Sequence, residues 1–239
     1  MSDGDAATAF APGHVTGLFS VERADSPQRT GSRGAGVTLS AGVTTRVVPS
    51  DETRVRLNGR DVDVDSVFGV LDALDATATV SAETDLPLGA GFGVSGAMAL
   101  GTALAANSAF DAGRSENELV AVAHAAEVEA GTGLGDVVAQ ARGGVPMRVE
   151  AGAPPHGTLD GVPDARRIEY VSYGGLSTSD VIGGDTDQLS AAGERALAAL
   201  RDHPTLPRFM ALSREFSRDA ELLDGRVAET VDAVTDAGG

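Results

Sequence analysis

Residues 87–100 read Pro-Leu-Gly-Ala-Gly-Phe-Gly-Val-Ser-Gly-Ala-Met-Ala-Leu, with Gly89, Gly91, Gly93 and Gly96 set between a strand-like run and a long Ala/Leu helix. Glycine permits positive φ and lets backbone N–H groups come close to a ligand. The helix is expected to start at about Ser95, so its unpaired N–H groups and positive dipole end face the same loop. Together these features make an anion site, and a polyphosphate is its commonest occupant. Nucleotide binding is therefore the first expectation.

Gly91 to Gly96 also spell GxGxxG. A dinucleotide-binding fold wants its strand to run straight into the first glycine. Here Asp85-Leu86-Pro87-Leu88 intervenes, and Pro87 cannot donate to a ladder. A protein-kinase glycine loop needs a strand lysine for the phosphates, and a Walker loop ends in Gly-Lys-Ser/Thr. This chain has no lysine; all 18 of its basic residues are arginine. Both readings fail on that point, and Schiff-base and lysine-base mechanisms fail with them.

A chain of 239 residues can bury one large core or two modest ones. Only 4% of the residues are aromatic and there is no Trp, so Ala, Val and Leu must build the interior. The net charge of −17 argues against nucleic-acid and anionic-membrane partners. Acid excess with no lysine resembles proteins of extreme halophiles; ordinary acidity with a GC-rich genome is the plainer alternative. Without cysteine there are neither disulfides nor thiolate metal sites. No apolar run approaches the ~18 residues of a membrane span. The acidic, small-residue start from Met1 to Ala7 is no signal peptide. A cytoplasmic protein is expected.

Along the chain, residues 24–34 read as a polar loop and 36–48 alternate as a strand. Asn58-Gly59 marks a hairpin turn within 53–64. A helix over 65–75 and a strand over 76–83 precede the glycine loop. Ser115 and Glu118 form a capping-box pattern before a helix at 116–130, which Gly131 stops. A shorter helix starts near Asp136, and 145–150 reads as a strand. Residues 151–165, rich in Gly and Pro, mark a domain boundary near 155. Ile168 to Tyr173 is strand-like, and from 187 the pattern is helical.

Several side chains carry two readings at this stage. His124 and Glu127 sit at i, i+3 and share one helix face, which suits two metal ligands or a solvated face with one satisfied His. Asp136 is an N-cap for Val137-Val138-Ala139-Gln140 or a catalytic carboxylate. Ser95 is a helix cap or a phosphate or metal ligand. Arg148, in mid-strand, faces solvent or offers a guanidinium fork to a carboxylate, for which Arg33 is a second candidate. His14 reads as structural.

Residues 87–97 resemble the second motif of the GHMP kinases, the family named for galactokinase, homoserine, mevalonate and phosphomevalonate kinases. Its usual form is Pro-x-x-x-Gly-Leu-Gly-Ser-Ser-Ala; here Phe92 replaces Leu, Val94 the first Ser and Gly96 the Ala. Ala11-Pro12-Gly13-His14-Val15-Thr16-Gly17-Leu18-Phe19 is similar to the first motif, with His14 where Lys is frequent. His14, the Gly-Ser-Arg-Gly-Ala-Gly run at 31–36 and Phe92 together resemble the archaeal pantoate kinase branch. The resemblance covers residues 8 to 150.

The resemblance implies an α+β fold of two domains: 1–155, ribosomal protein S5 domain 2-like and nucleotide-binding, and 156–239, ferredoxin-like and incomplete. It implies ATP bound by Pro87, Gly89, Ala90, Gly91, Gly93, Val94, Ser95, Gly96 and Ala97. It implies Mg2+ held by Ser95 and Glu127, which suits a loop with no lysine to answer the ~4 negative charges of ATP. Asp136 would be the catalytic carboxylate, working with Glu127 and Ser95. Ser32, His124 and Arg148 would hold a small hydroxy acid, pantoate, for phosphorylation at its primary alcohol. Homoserine, shikimate or mevalonate remain alternative alcohols, and self-association into a homodimer is left open. The family's third glycine-rich motif is not in view before Gly239, so a fragment, a short gene product or an inactive nucleotide-binding module stay open too.

If the charge marks a halophilic protein, screening of carboxylate repulsion should stabilise it. The melting temperature is expected to climb from low salt to molar KCl. A flat profile across that range removes the halophilic reading.

Overall fold

In a computed structural model, the structure describes residues 6–173, 181–182, 184 and 186–237. Its spine is an antiparallel pair, β1 (Ala7–Glu22) and β2 (Gly31–Pro49), in register from Ala7 opposite Val47 to Glu22 opposite Gly31. The ladder slips at Pro12/His14 and again at Thr16/Leu18. Pro12 has no N–H to donate, so a bulge at this point is the expected accommodation.

The other edge of β2 is divided between two strands. Thr44–Pro49 pair with β5 (Ala78–Glu83), and Gly34–Ala35 pair with β6 (Val145–Glu150), both antiparallel. β3 (Arg54–Leu57) adds to β5 in parallel and turns through Asn58-Gly59 into β4 (Arg60–Asp61). Both turn residues have positive φ, 50° and 76°, as a tight hairpin requires. β7 (Thr158–Val162) closes the far side against β6.

The hairpin therefore serves two cores. Ala11, Val43 and Val47 pack with α1 (Asp65–Ala73), α2 (Val94–Ala109) and α3 (Glu116–Ala130). Leu18, Ala35, Val37 and Met147 pack with α5 (Asp187–Asp202) and α6 (Leu206–Asp219), in chain order after the short α4 (Asp136–Arg142). α7 (Gly225–Asp236) has no buried residue. Small side chains make close contact the means of filling the interior. α2 is buried continuously from Gly96 to Ala103, and a Cβ on Gly101 would lie 2.6 Å from Thr45 Oγ1.

Two sequence expectations change. Gly31–Gly34 is not loop but the first, buried part of β2. Its small residues lie under other backbone: a Cβ on Gly31 would come 2.7 Å from Gly152 N. A segment enclosed on both sides shows no alternation to read. Residues 168–173 form no strand; Ile168, Tyr170 and Val171 are exposed. Among the described residues no helix is long and apolar enough to cross a membrane.

The tightest helix-to-sheet approach is at Gly193 in α5, where an added Cβ would overlap the carbonyl oxygen of Phe19. Backbone cannot yield as a side-chain tip can. Gly193→Ala is expected to cost about 3 kcal/mol of unfolding free energy, read from the urea midpoint. An unchanged midpoint would show that α5 does not seat on β1 in this way.

Candidate active site

The glycine loop delivers the chain into α2 through Gly93, which caps the helix in the left-handed region at φ 63°. No side chain caps this helix end, so its first N–H groups are not taken up by a capping group. Gly89 and Gly91 have φ of 69° and 79°, and a Cβ on either would meet nothing within 4 Å. Glycine is required there by conformation rather than by packing, and the space beside the loop is open. This is a cradle that a polyphosphate fits. The loop is pinned from beneath. The His14 N–H donates to Phe92 O at 3.0 Å, and the buried Phe92 ring meets Tyr170 edge-on with centroids 4.6 Å apart.

The Ser115–Glu118 capping box starts α3 as expected, and Gly131 ends it at φ 68°. Glu127 lies on the inward face of this helix and is 2% exposed, so the solvated-face reading fails. Its Oε1 accepts from Ser95 Oγ at 2.5 Å and from Thr132 Oγ1 at 2.9 Å; Ser66 Oγ of α1 lies 3.3 Å from Ser95 Oγ. Burial pushes the Glu127 carboxyl up from its ordinary value; these hydroxyls pull against that, and Asp136 adds to it. His124 is also buried, but its ring goes elsewhere: Nε2–H donates to Thr30 O at 2.8 Å. Burial, aided by the charge of Arg148, lowers its pKa against that hydrogen bond, so the ring is neutral. The i, i+3 pair thus serves two neighbouring sites. Among the described residues no three or more His, Asp or Glu side chains form a metal cluster.

Asp136 is not the N-cap. Gly135 takes that position, and Asp136 is the first helical residue of α4. Its Oδ1 accepts from His14 Nδ1 at 2.6 Å. The His14 ring is completely buried, and its Nε2 has no hydrogen-bond partner. A neutral ring with the proton on Nδ1 fits, because an unpaired acceptor costs less than an unpaired buried cation. Burial lowers the pKa of His14 against the pull of Asp136. For Asp136, burial acts upward, but the His14 hydrogen bond and nearby positive charge outweigh it and hold the carboxyl below its ordinary value. The side chain remains 23% exposed. Gly133 separates the two acids: a Cβ there would lie 2.5 Å from Glu127 Oε2 and 3.5 Å from Asp136 Oδ2.

Arg148 on β6 is 2% exposed, which rules out the solvent-facing reading. Its Nε donates to Ser32 O at 3.3 Å, while Nη1 is buried with no hydrogen-bond partner. Ser32 Oγ donates to Leu134 O at 3.3 Å. A Cβ on Gly135 would come 2.5 Å from Ser32 Oγ and 2.6 Å from Arg148 Nε, so the glycine lets these groups close on Asp136. Arg33 is engaged elsewhere, with Val149 O at 2.9 Å and Glu22 at 3.4 Å. The structure thus gathers Ser95, Glu127, Asp136, Ser32, Arg148 and the glycine loop at one junction, with His124 behind through Thr30. Sequence reading missed Ser66, Thr132 and Gln140, whose Nε2 donates to Gly93 O at 2.7 Å. The polar position on the otherwise apolar face of α4 was the available signal for Gln140. Ser66 and Thr132 had none.

Residues 65–144 match the family model described as GHMP kinases N terminal domain. The chain is 36% identical to the pantoate kinase of Thermococcus kodakarensis, over 92% of this chain and 78% of that protein. The pantoate kinase of Methanocaldococcus jannaschii is 33% identical, over 91% of this chain and 82% of the relative. A solved phosphotransferase related to the CoA biosynthesis pathway matches with a TM-score of 0.80 at 31% identity, covering 97% of this chain and 81% of that one. The homoserine kinase of Cytophaga hutchinsonii shares the fold, with a TM-score of 0.64 at 19% identity, over 100% of this chain and 81% of its own. The chain belongs to the GHMP kinase family and is a small-molecule kinase. Within that family, the relatives it resembles in sequence over nearly its whole length are the pantoate kinases.

The depressed carboxyl of Asp136 has a consequence for stability. Its contribution is present above the ordinary Asp range and is lost as pH falls through the lowered value. Asp136→Asn cannot titrate, so the wild type should exceed the variant in melting temperature at neutral pH, and the gap should close in acid. A gap that stays constant from pH 7 to pH 3 would show that the His14 contact does not hold the carboxylate ionised.

Proposed function

We propose that this protein transfers the γ-phosphoryl group of ATP to the primary alcohol of (R)-pantoate, giving 4-phosphopantoate for coenzyme A formation. One observation carries the reading beyond the general kinase. Arg148 is a buried guanidinium whose Nη1 lacks a hydrogen-bond partner, set close enough to Asp136 for their charges to interact. A buried cation with a free donor suits a carboxylate. Pantoate brings a carboxylate and an alcohol on one small molecule. The identity to two archaeal pantoate kinases supports the same substrate.

In this proposal Arg148 pairs with the substrate carboxylate, and Ser32 adds its hydroxyl. His124 backs them as a neutral imidazole fixed by Thr30 O. Bound this way, the alcohol faces Asp136. His14 occupies Oδ1, and among the described residues no hydrogen bond takes up Oδ2. Asp136 then accepts the hydroxyl proton as the oxygen bonds to phosphorus and the bond to ADP breaks. The loop from Pro87 to Ala97 holds the phosphates through backbone N–H groups and the α2 terminus. Ser95 and Glu127 would hold Mg2+, whose charge favours the transfer when it is bound. One carboxylate plus phosphate oxygens is an ordinary Mg2+ environment, so the small acid count fits. The nucleotide part is assigned to residues 1–155 and a second unit to 156–239.

The test is turnover on a panel of pantoate, homoserine, shikimate and mevalonate with Mg2+·ATP. Pantoate should show the highest kcat/KM; a higher value for another alcohol overturns the assignment. Asp136→Asn should lower kcat about 100-fold or more. Arg148→Ala should chiefly raise KM for pantoate, because ground-state and transition-state pairing are lost together.

A further inference from the structure

We infer that Gln140 is a positioning residue of the nucleotide loop, and that residue 96 is glycine because Gln140 occupies the space beside it. Gln140 is 2% exposed, on α4, one helical turn after Asp136. Residues at i, i+4 share a helix face, so Gln140 projects on the same side as the acid. Its Nε2 donates to Gly93 O at 2.7 Å. That carbonyl also receives the Ala97 N–H at 3.0 Å, the first hydrogen bond of α2. Gln140 therefore grips the residue at which the left-handed loop becomes helix.

The grip closes a circuit. Two successive loop carbonyls are held, Phe92 O by the His14 N–H and Gly93 O by Gln140. His14 reaches Asp136 through its ring, and α4 carries both Asp136 and Gln140. The phosphate-facing loop and the acid thus share the same two supports, His14 and α4. A loop in positive φ has alternative conformations of similar energy, and a buried hydrogen bond at its end selects among them. This selection is what a backbone anion site needs before its ligand arrives.

The other end of the amide explains residue 96. Gln140 Oε1 is buried and has no hydrogen-bond partner. A Cβ on Gly96 would stand 3.0 Å from that oxygen and 3.3 Å from the Cβ of Asp136. Gly96 is the third residue of α2 and is not in the positive-φ region, so its backbone does not demand glycine. The demand comes from α4. A methyl there would press Gln140 and Asp136 away from the loop together.

The inference rests on the nucleotide loop of the proposed kinase, and it is tested by calorimetry with Mg2+·AMPPNP, which needs no alcohol. Gln140→Met keeps the length and removes the donor. It should weaken nucleotide binding about tenfold, raise KM for ATP in step, and leave KM for pantoate within about twofold. Gly96→Ala should also weaken binding in the wild-type background and cost clearly less in Gln140→Ala, where the nearest obstructing oxygen is gone and only the 3.3 Å approach to the Cβ of Asp136 remains. Unchanged nucleotide affinity in a folded Gln140→Met, or additive losses in the double variant, overturns the inference. If Gln140→Met does not fold, Gly96→Ala decides alone, and wild-type affinity in that variant overturns it. Failure of the wild type to phosphorylate pantoate defeats the substrate assignment without touching these affinities.

Discussion

The ladder between β1 and β2 is the interaction on which everything else in this molecule rests. It runs nearly the full length of both strands, and each hydrophobic core takes part of its wall from it. The β2 edge not taken by β1 changes partner between Ala35 and Thr44, from β6 to β5. That gap divides the helices into two groups. His14 sits beside the bulge at Pro12, between the parts of β1 that face the two cores. It is therefore placed to touch the glycine loop with its backbone and α4 with its ring.

The site answers an electrostatic problem set by composition. A chain with net charge −17 and no lysine must still attract a polyphosphate and a carboxylate. In the proposed reading it does so with groups that the bulk charge does not reveal: backbone N–H groups at the α2 terminus, and Arg148 of β6, enclosed against the start of β2. Burial raises the strength of any pairing Arg148 makes, because water no longer screens it. It also makes each incomplete pairing costly. Arg148 Nη1 and His14 Nε2 are both left without a partner in the same neighbourhood. The first is a donor that a carboxylate can satisfy. The second is an acceptor left over once Nδ1 has been committed to Asp136.

Small residues make this closeness attainable. Gly133 lets Glu127 and Asp136 approach from either side of one backbone, and Gly135 does the same for Ser32 and Arg148. The run Gly131-Thr132-Gly133-Leu134-Gly135 is therefore not a flexible spacer. Gly133 and Gly135 give up side-chain volume so that polar and charged groups of four different elements can meet.

Much of the local structure was legible in the sequence because its causes are local. The capping box at Ser115, the Gly131 stop, the Asn58-Gly59 turn and the glycine loop ahead of α2 each follow from a few adjacent residues whose backbone preferences agree. The pattern at 87–97 and the first motif likewise carried the family, since both are contiguous. Burial of individual polar residues was not legible. Glu127 and Arg148 could each also be read as solvent-facing, and His124 as a satisfied histidine, because helix and strand periodicity gives a face but not what covers it. Asp136 read as a helix cap or a catalytic carboxylate, and the cap reading arose because sequence shows only near neighbours. Its actual partner, His14, lies 122 residues away. Gly31–Gly34 read as loop for the same reason: the backbone enclosing it comes from residues 134 and 152. The sequence by itself determined most of the elements, the glycine loop ahead of α2 and the family. The tertiary structure decided which polar groups lose their water and which partners they find instead, because desolvation and pairing depend on chain segments brought together only by folding.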